Sequence, residues 1–210
     1  MKHCTRNRRN VKILSLNETG AASIAGICGK TLSKKGSVLL LPTETVYGFM
    51  CLWDDQQARE KILKMKRRDS KKPFQMLSSS VALAEKQGLV FEGEARKIAD
   101  KFFPGALTLI VCNRDGGTTG LRIPNHEFMQ ELLGKIGCPL AATSANISGE
   151  PAALTIEDAL KDLEIFPDLA VDGGRIEHGK ASTLVDATTA PFRILRDGLI
   201  GEDAIRRAVK

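Results

Sequence analysis

The chain has 210 residues, of which 42% are hydrophobic and 27% charged, so it is long enough for one packed domain and too apolar to be disordered. Its 31 Lys and Arg residues exceed its 25 Asp and Glu residues, which favours polyanionic partners such as nucleotides or RNA. No apolar run approaches the ~20 residues that cross a bilayer, and no apolar core follows the basic start, so membrane and secreted proteins are excluded.

The amino terminus is basic, because residues 1–10 carry Lys2, Arg6, Arg8 and Arg9 and no acid. We interpret it as a flexible, solvated terminus, with a targeting peptide or an RNA-contacting arm as the alternatives. Residues 11–210 are assigned to a single domain. The five cysteines are scattered and lack CxxC spacing, which is typical of a reducing compartment and favours a cytoplasmic protein.

Helices and strands are mixed along the chain. Apolar residues at helical spacing predict helices, and short apolar runs bounded by Gly or Pro predict strands. The expected helices span 20–34, Asp54 or Asp55 to about Lys66, 94–101, 127–133, Thr155 (as the cap) to about Leu160, and 202–209. The expected strands span 37–41, 74–77, 106–112, 121–123, 139–143, 169–171, 183–186 and 192–195, so helices and strands are interspersed along the chain. This order predicts an α/β fold with a twisted, mixed parallel and antiparallel sheet flanked by helices.

The strand at 37–41 runs into the segment PTETVYG, residues 42–48, which holds the chain's only tyrosine. A buried strand that ends in a polar turn often presents a site. By residue type alone, Glu44 is a candidate general base in this segment.

A basic run overlaps the end of the predicted helix that follows. Residues 59–72 contain eight Lys or Arg residues against Glu60 and Asp69. A solvated helix face is the alternative interpretation. Since arginine can hold phosphate oxygens through two parallel hydrogen bonds while lysine adds a point charge, Lys66 and Arg68 suit a triphosphate.

Hydroxyl, amide and guanidinium groups stand at the ends of other predicted strands. They belong to Thr143, Ser144, Asn146, Ser182, Arg122 and Arg196. A turn that satisfies its own hydrogen bonds is the alternative for each segment alone. Together, these groups predict a small-molecule site with a cationic, concave wall.

Familiar nucleotide and metal motifs do not occur in the sequence. Gly29-Lys30-Thr31 lacks the glycine that a P-loop needs five residues earlier, because Ile24 stands there. There is no GxGxxG or GxSxG pattern, and His3, His126 and His178 share no ligand-like spacing. We therefore assign no metal to protein side chains.

Seven short motifs follow one another between residues 42 and 198. They are PTETVYG at 42–48, Lys66-x-Arg68 with Lys72-Pro73, Pro104-Gly105-x-Leu107-Thr108, Arg122-x-Pro124, Ser144-Ala145-Asn146-x-Ser148-Gly149, STLVD at 182–186, and Leu195-Arg196-x-Gly198. In this order they resemble the YrdC-type threonylcarbamoyl-adenylate synthases, in a short, single-domain form. The chain ends soon after Gly198, so the additional carboxy-terminal domain of longer members is not expected.

The resemblance implies a YrdC-like catalytic domain. Its expected reaction joins L-threonine, bicarbonate or carbon dioxide, and ATP with Mg²⁺ to give threonylcarbamoyl-adenylate and pyrophosphate. A separate tRNA threonylcarbamoyl transferase complex would then modify an adenosine of tRNA. Direct binding of tRNA or double-stranded RNA stays open.

The resemblance also implies residue roles, with Lys66 and Arg68 as the catalytic residues. The ATP-binding residues would be Lys66, Arg68, Thr108, Ser144, Asn146 and Arg196. The threonine-binding residues would be Thr43, Arg122, Thr143 and Ser182. Because this chemistry asks for positioned anions and neutralised charge, Glu44 is no longer expected to act as a base.

Three places depart from the family pattern. Phe49-Met50 replaces leucine and glycine, so we expect a looser turn after Gly48. Asp69 replaces a proline, so we expect weaker ATP binding or an ion pair between Asp69 and Arg67. Gln75 stands where some members contact threonine.

Two other functions fit some of the residues. The positive charge and the basic run also suit an RNA-binding translation or ribosome-maturation factor without synthase activity. A carbamoyl-adenylate site that uses carbamoyl phosphate is a related alternative, which the presence of Thr43 and Ser182 disfavours.

Overall fold

The computed structural model describes residues 11–69, 72–177 and 179–210, so the basic terminus predicted at 1–10 lies outside the described residues. The strands are β1 Lys12–Ser15, β2 Leu39–Leu41, β3 Gly48–Leu52, β4 Gln75–Leu77, β5 Leu107–Cys112, β6 Thr118–Arg122, β7 Leu140–Ser144, β8 Leu169–Asp172, β9 Thr183–Asp186 and β10 Arg193–Arg196. The helices are α1 Leu16–Thr19, α2 Ala21–Leu32, α3 Gln56–Lys66, α4 Val81–Lys86, α5 Gly93–Phe102, α6 Glu127–Ile136, α7 Ile156–Leu160 and α8 Glu202–Val209.

Over these residues, ten strands form one sheet in the order β1-β8-β2-β3-β7-β4-β6-β5-β9-β10. Four neighbouring pairs are parallel, namely β1 with β8, β2 with β8, β4 with β6, and β5 with β9. The other five pairs are antiparallel. The predicted mixed sheet flanked by helices is therefore confirmed.

Helices cover both faces of the central strands. Along β3, Met50 packs in a cluster with α2 and α6, whereas Phe49 and Cys51 pack in a cluster with α3 and α7. Successive side chains of a strand point to opposite faces, so this alternation places the two clusters on opposite sides of the sheet. A third cluster joins α5 and α8 to β5, β6 and β9.

The structure contains β3 where the sequence predicted only a turn. The strand pairs with β2 and β7 and is buried on both faces, so it lacks the alternation that reveals a half-buried strand. At its start, a Cβ on Gly48 would lie 3.1 Å from the carbonyl oxygen of Thr143, so the glycine permits the close approach of β7. The expected loose turn at Phe49-Met50 was wrong, because both residues lie within the strand.

Helix α3 carries the basic run towards the sheet. The side chain of Asp55 caps it by accepting a hydrogen bond from Ala58 N at 2.9 Å, as the sequence predicted. Arg67 ends it in the left-handed conformation, with φ of 48°. This reversal turns Arg68 out of the helical path and back towards β7.

Within residues 11–69, 72–177 and 179–210, none of the helices combines the length and apolar character that crossing a membrane requires.

Candidate active site

A cavity of about 530 Å³ is lined by residues from several strand ends and connections. Its volume is typical of small-molecule pockets, which span roughly 300–1,000 Å³. Of the ten predicted binding residues, Lys66 and Thr43 do not line it. The eight that do are Arg68, Thr108, Arg122, Thr143, Ser144, Asn146, Ser182 and Arg196. A depression of about 520 Å³ along α6 is shallow and formed by one helix, so it is not a candidate site.

Arg68 is half-buried in the cavity wall, and both of its terminal nitrogens are hydrogen-bonded. Its Nη1 donates to Thr143 Oγ1, and its Nη2 donates to the carbonyl oxygen of Pro73 at 2.8 Å. Within the described part of the chain, its Nε is buried without a hydrogen-bond partner. Burial also lowers the pKa of Arg68. A guanidinium has five N–H groups, so Arg68 retains donors for an anion in the cavity.

Lys66 lies behind the cavity wall and is only 2% exposed. Its Nζ donates to the carbonyl oxygens of Ser144 and of Asn146, the latter at 2.6 Å, and to Asn146 Oδ1 at 3.1 Å. An ammonium group has three donors, and all three are engaged here. Burial, followed by the charges of Arg68 and Lys72, lowers the pKa of Lys66 to about 7. Lys66 thus joins the end of α3 to the segment that follows β7.

The segment at 144–146 is held by its own side chains as well as by Lys66. Ser144 Oγ donates to Asn146 Oδ1 at 2.5 Å, and Asn146 Nδ2 donates to the carbonyl oxygen of Glu150 at 2.5 Å. The backbone N–H of Ser148 donates a hydrogen bond to the carbonyl oxygen of Lys66 at 3.1 Å. Because these bonds fix the segment, the Ser144 and Asn146 side chains meet the cavity in a set geometry.

Arg122 is the most deeply buried arginine of the lining and is 3% exposed. Its Nη1 donates to Thr45 Oγ1 at 2.8 Å. Its Nη2 lies 2.9 Å from Glu44 Oε2, an ion pair that is not aligned as a hydrogen bond. Glu44 Oε1 in turn accepts from the N–H of Asn125 at 2.9 Å, so Glu44 holds Arg122 in place. Among the residues described, Arg122 Nε has no partner.

Thr43 is 4% exposed, and its hydroxyl is used within its own turn. It donates to the carbonyl oxygen of Val46 at 2.8 Å and accepts from the N–H of Thr45 at 3.2 Å. Thr45, two residues on, lines the cavity beside Arg122. The first threonine of the PTETVYG segment was the predicted contact, whereas the structure brings the second one to the cavity.

A chain of hydroxyls crosses the other end of the cavity. Thr108 Oγ1 lies 2.8 Å from Ser182 Oγ, and it donates to Gln75 Oε1 at 3.1 Å. Gln75, one of the departures from the family pattern, therefore orients Thr108. These three side chains connect β4, β5 and the residue before β9.

Arg196 closes the cavity from the end of β10. Its Nη2 donates to the carbonyl oxygen of Ser182 at 2.9 Å. Burial, followed by the charge of Arg122, lowers the pKa of Arg196. An anion beside Arg122 and Arg196 would favour the charged form of both groups. A Cβ on Gly198 would lie 2.1 Å from Thr183 N, so only glycine lets this chain pack on the backbone of β9.

Most of the charged residues in the lining are cationic. Lys72 joins Arg68, Arg122 and Arg196 there, against Glu150 as the acidic residue among the described lining residues. Sequence reasoning placed Lys72 in a motif without giving it a role. It missed Thr45 and Phe74, both of which line the cavity.

Arg67 does not face the site. It forms an ion pair with Glu164 at the protein surface. Among the described residues, no three His, Cys, Asp or Glu side chains cluster as a metal site, while His3 and His178 lie outside the described residues.

Comparison with known families finds one match that covers most of the chain. The Sua5/YciO/YrdC family model, described as "Telomere recombination", matches residues 31–198. A curated protein of Mycobacterium leprae is 37% identical over 176 residues, which make up 79% of each chain.

A second relative and a solved structure come from Pyrococcus abyssi. The threonylcarbamoyl-AMP synthase of that organism is 31% identical over 185 residues, which cover 84% of this chain and 54% of that protein. The crystal structure of P. abyssi Sua5 complexed with L-threonine has a TM-score of 0.79 at 28% identity, covering 95% of this chain and 60% of that chain. The chain thus spans just over half the length of the P. abyssi protein.

Proposed function

The chain belongs to the Sua5/YciO/YrdC family, and we propose that it is an L-threonylcarbamoyl-adenylate synthase. It would make threonylcarbamoyl-AMP and pyrophosphate from L-threonine, bicarbonate or carbon dioxide, and ATP. The observation that carries the proposal is the cavity in which three arginines, Arg68, Arg122 and Arg196, face the hydroxyls of Thr108, Thr143, Ser144 and Ser182.

The arginine at the α3 side of the cavity suits the triphosphate of ATP. Thr143 and Pro73 use two of the five N–H groups of Arg68, and Lys72 also lines the cavity. A guanidinium that presents two N–H groups in parallel matches phosphate oxygens, and the lysine adds charge. Ser144, Asn146 and Arg196 would complete the nucleotide side. Lys66 would serve this side indirectly, because its ammonium group fixes the 144–146 segment.

The part of the cavity around Arg122 and Thr45 suits an amino acid. Arg122 is buried in the cavity wall, where Thr45 and Glu44 hold its guanidinium, and its charge would attract a carboxylate. Thr45, Thr143 and Ser182 offer hydroxyls for the amino and hydroxyl groups of threonine. Thr43 would contribute by holding the turn that presents Thr45.

The chemistry needs positioning and charge neutralisation more than proton transfer. The amine of threonine adds to carbon dioxide and loses a proton, which forms a carbamate. A carbamate oxygen then attacks the α-phosphorus of ATP, the bond from that phosphorus to the bridging oxygen breaks, and pyrophosphate leaves. Both reactants are anions, so the arginines lower the barrier by holding them together and by stabilising the charge on the leaving group.

Mg²⁺ would accompany ATP and help to neutralise its phosphates. Because the described residues contain no cluster of three carboxylate, His or Cys ligands, we propose that phosphate oxygens and water hold the ion. A tRNA threonylcarbamoyl transferase complex in the cytoplasm would consume the product. Direct binding of tRNA or double-stranded RNA is a further part of the proposal, motivated by the net charge of +6.

The test is pyrophosphate release with each substrate omitted in turn. We expect release only when ATP, L-threonine and bicarbonate are all present, together with threonylcarbamoyl-AMP detected by mass spectrometry. Release that does not depend on threonine would contradict the proposal. RNA binding without any release would favour the RNA-binding factor instead.

A further inference from the structure

A row of alternating aromatic and arginine side chains leads out of the cavity. The Arg59 guanidinium lies 4.2 Å from the centre of the Trp53 ring and 5.8 Å from that of Phe74. The Arg68 guanidinium lies 5.7 Å from the same Phe74 ring. Phe74 and Arg68 line the cavity, whereas Trp53 and Arg59 lie behind it. The row therefore connects two residues that line the cavity with two that do not.

Arg59 is placed by these rings more than by hydrogen bonds. It lies on α3, its Nε is buried without a hydrogen-bond partner among the described residues, and burial lowers its pKa. A partly desolvated guanidinium gains most from contact with an aromatic face, and Trp gives the strongest such contact. Trp53 and Phe74 thus hold Arg59 between them.

Phe74 transmits this arrangement to the cavity. It directly follows Pro73, whose carbonyl oxygen accepts the 2.8 Å hydrogen bond from Arg68 Nη2. A shift of the Phe74 ring would therefore disturb both the cation–π contact and the hydrogen bond of Arg68. The remaining contact, with Thr143, fixes only one end of the guanidinium.

We propose that Trp53, Arg59 and Phe74 are positioning residues for Arg68, and that this row sets the affinity of the protein for the triphosphate of its nucleotide substrate. The inference rests on the proposed function, since it requires Arg68 to hold phosphate. None of the three residues was singled out as a site residue from the sequence, because each contact joins residues from different elements.

The first test separates nucleotide affinity from the rest of the activity. In Trp53→Leu and Arg59→Met we expect KM for ATP to rise about two- to fivefold, the range that corresponds to one cation–π contact, with kcat and KM for threonine unchanged. Trp53→Phe keeps an aromatic face beside Arg59 and should restore most of the affinity. The matched control is Arg206→Met, which removes the 5.3 Å contact between Arg206 and Phe192 outside the cavity lining and should leave KM for ATP unchanged.

The second test uses the fluorescence of Trp53, which is the chain's only tryptophan. Inorganic triphosphate is titrated into the protein, since it has no absorbing base. We expect the emission of Trp53 to change on binding in the wild type and in Arg206→Met, and not to change in Phe74→Leu at saturating triphosphate. Thermal unfolding of each variant shows whether it is folded.

The outcomes distinguish the two proposals. If the wild type forms no threonylcarbamoyl-AMP and binds no ATP, the proposed function fails and this inference fails with it. If the wild type is active but Trp53→Leu and Arg59→Met leave KM for ATP unchanged, this inference alone is overturned. If KM for ATP and KM for threonine both rise and thermal stability falls, this inference is also overturned, because that pattern indicates a purely structural role.

Discussion

Arg68 combines anchored and available N–H groups in one guanidinium. Thr143 and Pro73 each accept a hydrogen bond from one of its two terminal nitrogens. Each terminal nitrogen carries a second N–H group, which Arg68 can offer to an anion in the cavity that it lines. The same group can therefore be held rigidly and still bind phosphate.

Replacing Arg68 by Lys should weaken ATP binding by about tenfold or more. Lysine keeps the charge, but its three donors share one nitrogen and lack the planar fork by which Arg68 spans Thr143 and Pro73, and a hydrogen bond to a charged group is worth about 1.5–3 kcal/mol. Isothermal titration with ATP measures the change. Arg67→Lys is the matched control, because the neighbouring Arg67 pairs with Glu164 instead. An equal loss of affinity in both variants would contradict a specific role for Arg68.

Lys66 should make stability depend on pH. Its pKa of about 7 in the folded protein lies below its usual value of 10.5, so between these values the unfolded chain binds more protons at this position. The contribution of Lys66 to the free energy of unfolding therefore rises as the pH increases from about 7 towards 10. Urea unfolding at pH 7 and pH 9 should show the wild type gaining free energy of unfolding relative to Lys66→Met. A constant difference would mean that the carbonyl oxygens keep Lys66 protonated.

The two threonines of the PTETVYG segment should separate into a binding and a structural residue. Thr45→Val removes the hydroxyl beside Arg122 and should raise KM for threonine about three- to tenfold. Thr43→Val breaks the turn bonds to Thr45 and Val46 and should mainly lower the free energy of unfolding. Steady-state kinetics and urea unfolding of both variants check this, and the reverse pattern would restore Thr43 as the threonine contact.

Helices and strands whose own residues carry a cap or a clear apolar periodicity were predicted well. Helix α5 was expected at 94–101 and spans Gly93–Phe102, and the Thr155 cap of α7 is present, with its hydroxyl 3.2 Å from Asp158 N. Strand β3 was not predicted, because it is recognisable from its pairing with β2 and β7 and not from the pattern of its own residues. Helix α4 and the first elements, β1 and α1, were also not predicted.

The lining of the cavity was predicted to a similar extent, and the roles of its residues stay predictions. Residues that stand at strand ends, such as Arg122 and Arg196, were found because their polar side chains interrupt apolar runs. The position of Lys66 behind the cavity wall was not predicted. A lysine at the end of a helix has the same sequence pattern whether its ammonium group binds phosphate or backbone carbonyl oxygens. Contacts such as that of Arg59 with Trp53 depend on how α3 packs against β3, which spacing along the chain does not reveal.

The connection after β10 should tolerate no side chain at Gly198. In Gly198→Ala the added carbon would lie 2.1 Å from Thr183 N and 2.4 Å from Ser182 C, so the backbone must move. We expect the free energy of unfolding to fall by at least about 2 kcal/mol, together with weaker ATP binding as Arg196 shifts. The control is Gly201→Ala, where no other described atom lies within 4 Å of the added carbon. Equal stability of the two variants would contradict the close packing.

At the scale of the whole molecule, binding of both substrates should stabilise the fold. The cavity joins residues from β4 to β10, so a ligand that contacts its walls resists unfolding of the sheet. ATP at 100 times its Kd should add about 2.7 kcal/mol, which raises Tm by roughly 5–10 °C for a chain of this size. Thermal unfolding with ATP, with threonine and with both should show the largest shift for the pair. No shift with threonine under any condition would contradict a two-substrate site.

The order of the strands along the chain has a consequence for biosynthesis. The cavity needs Ser182 and Arg196, which stand near β9 and β10, whereas Thr45 and Arg68 lie far earlier in the chain. A nascent chain therefore cannot complete the cavity until β9 and β10 have left the ribosome. A ligand of the complete cavity cannot assist the folding of the earlier strands during translation, so β1 to β8 must form from their own packing.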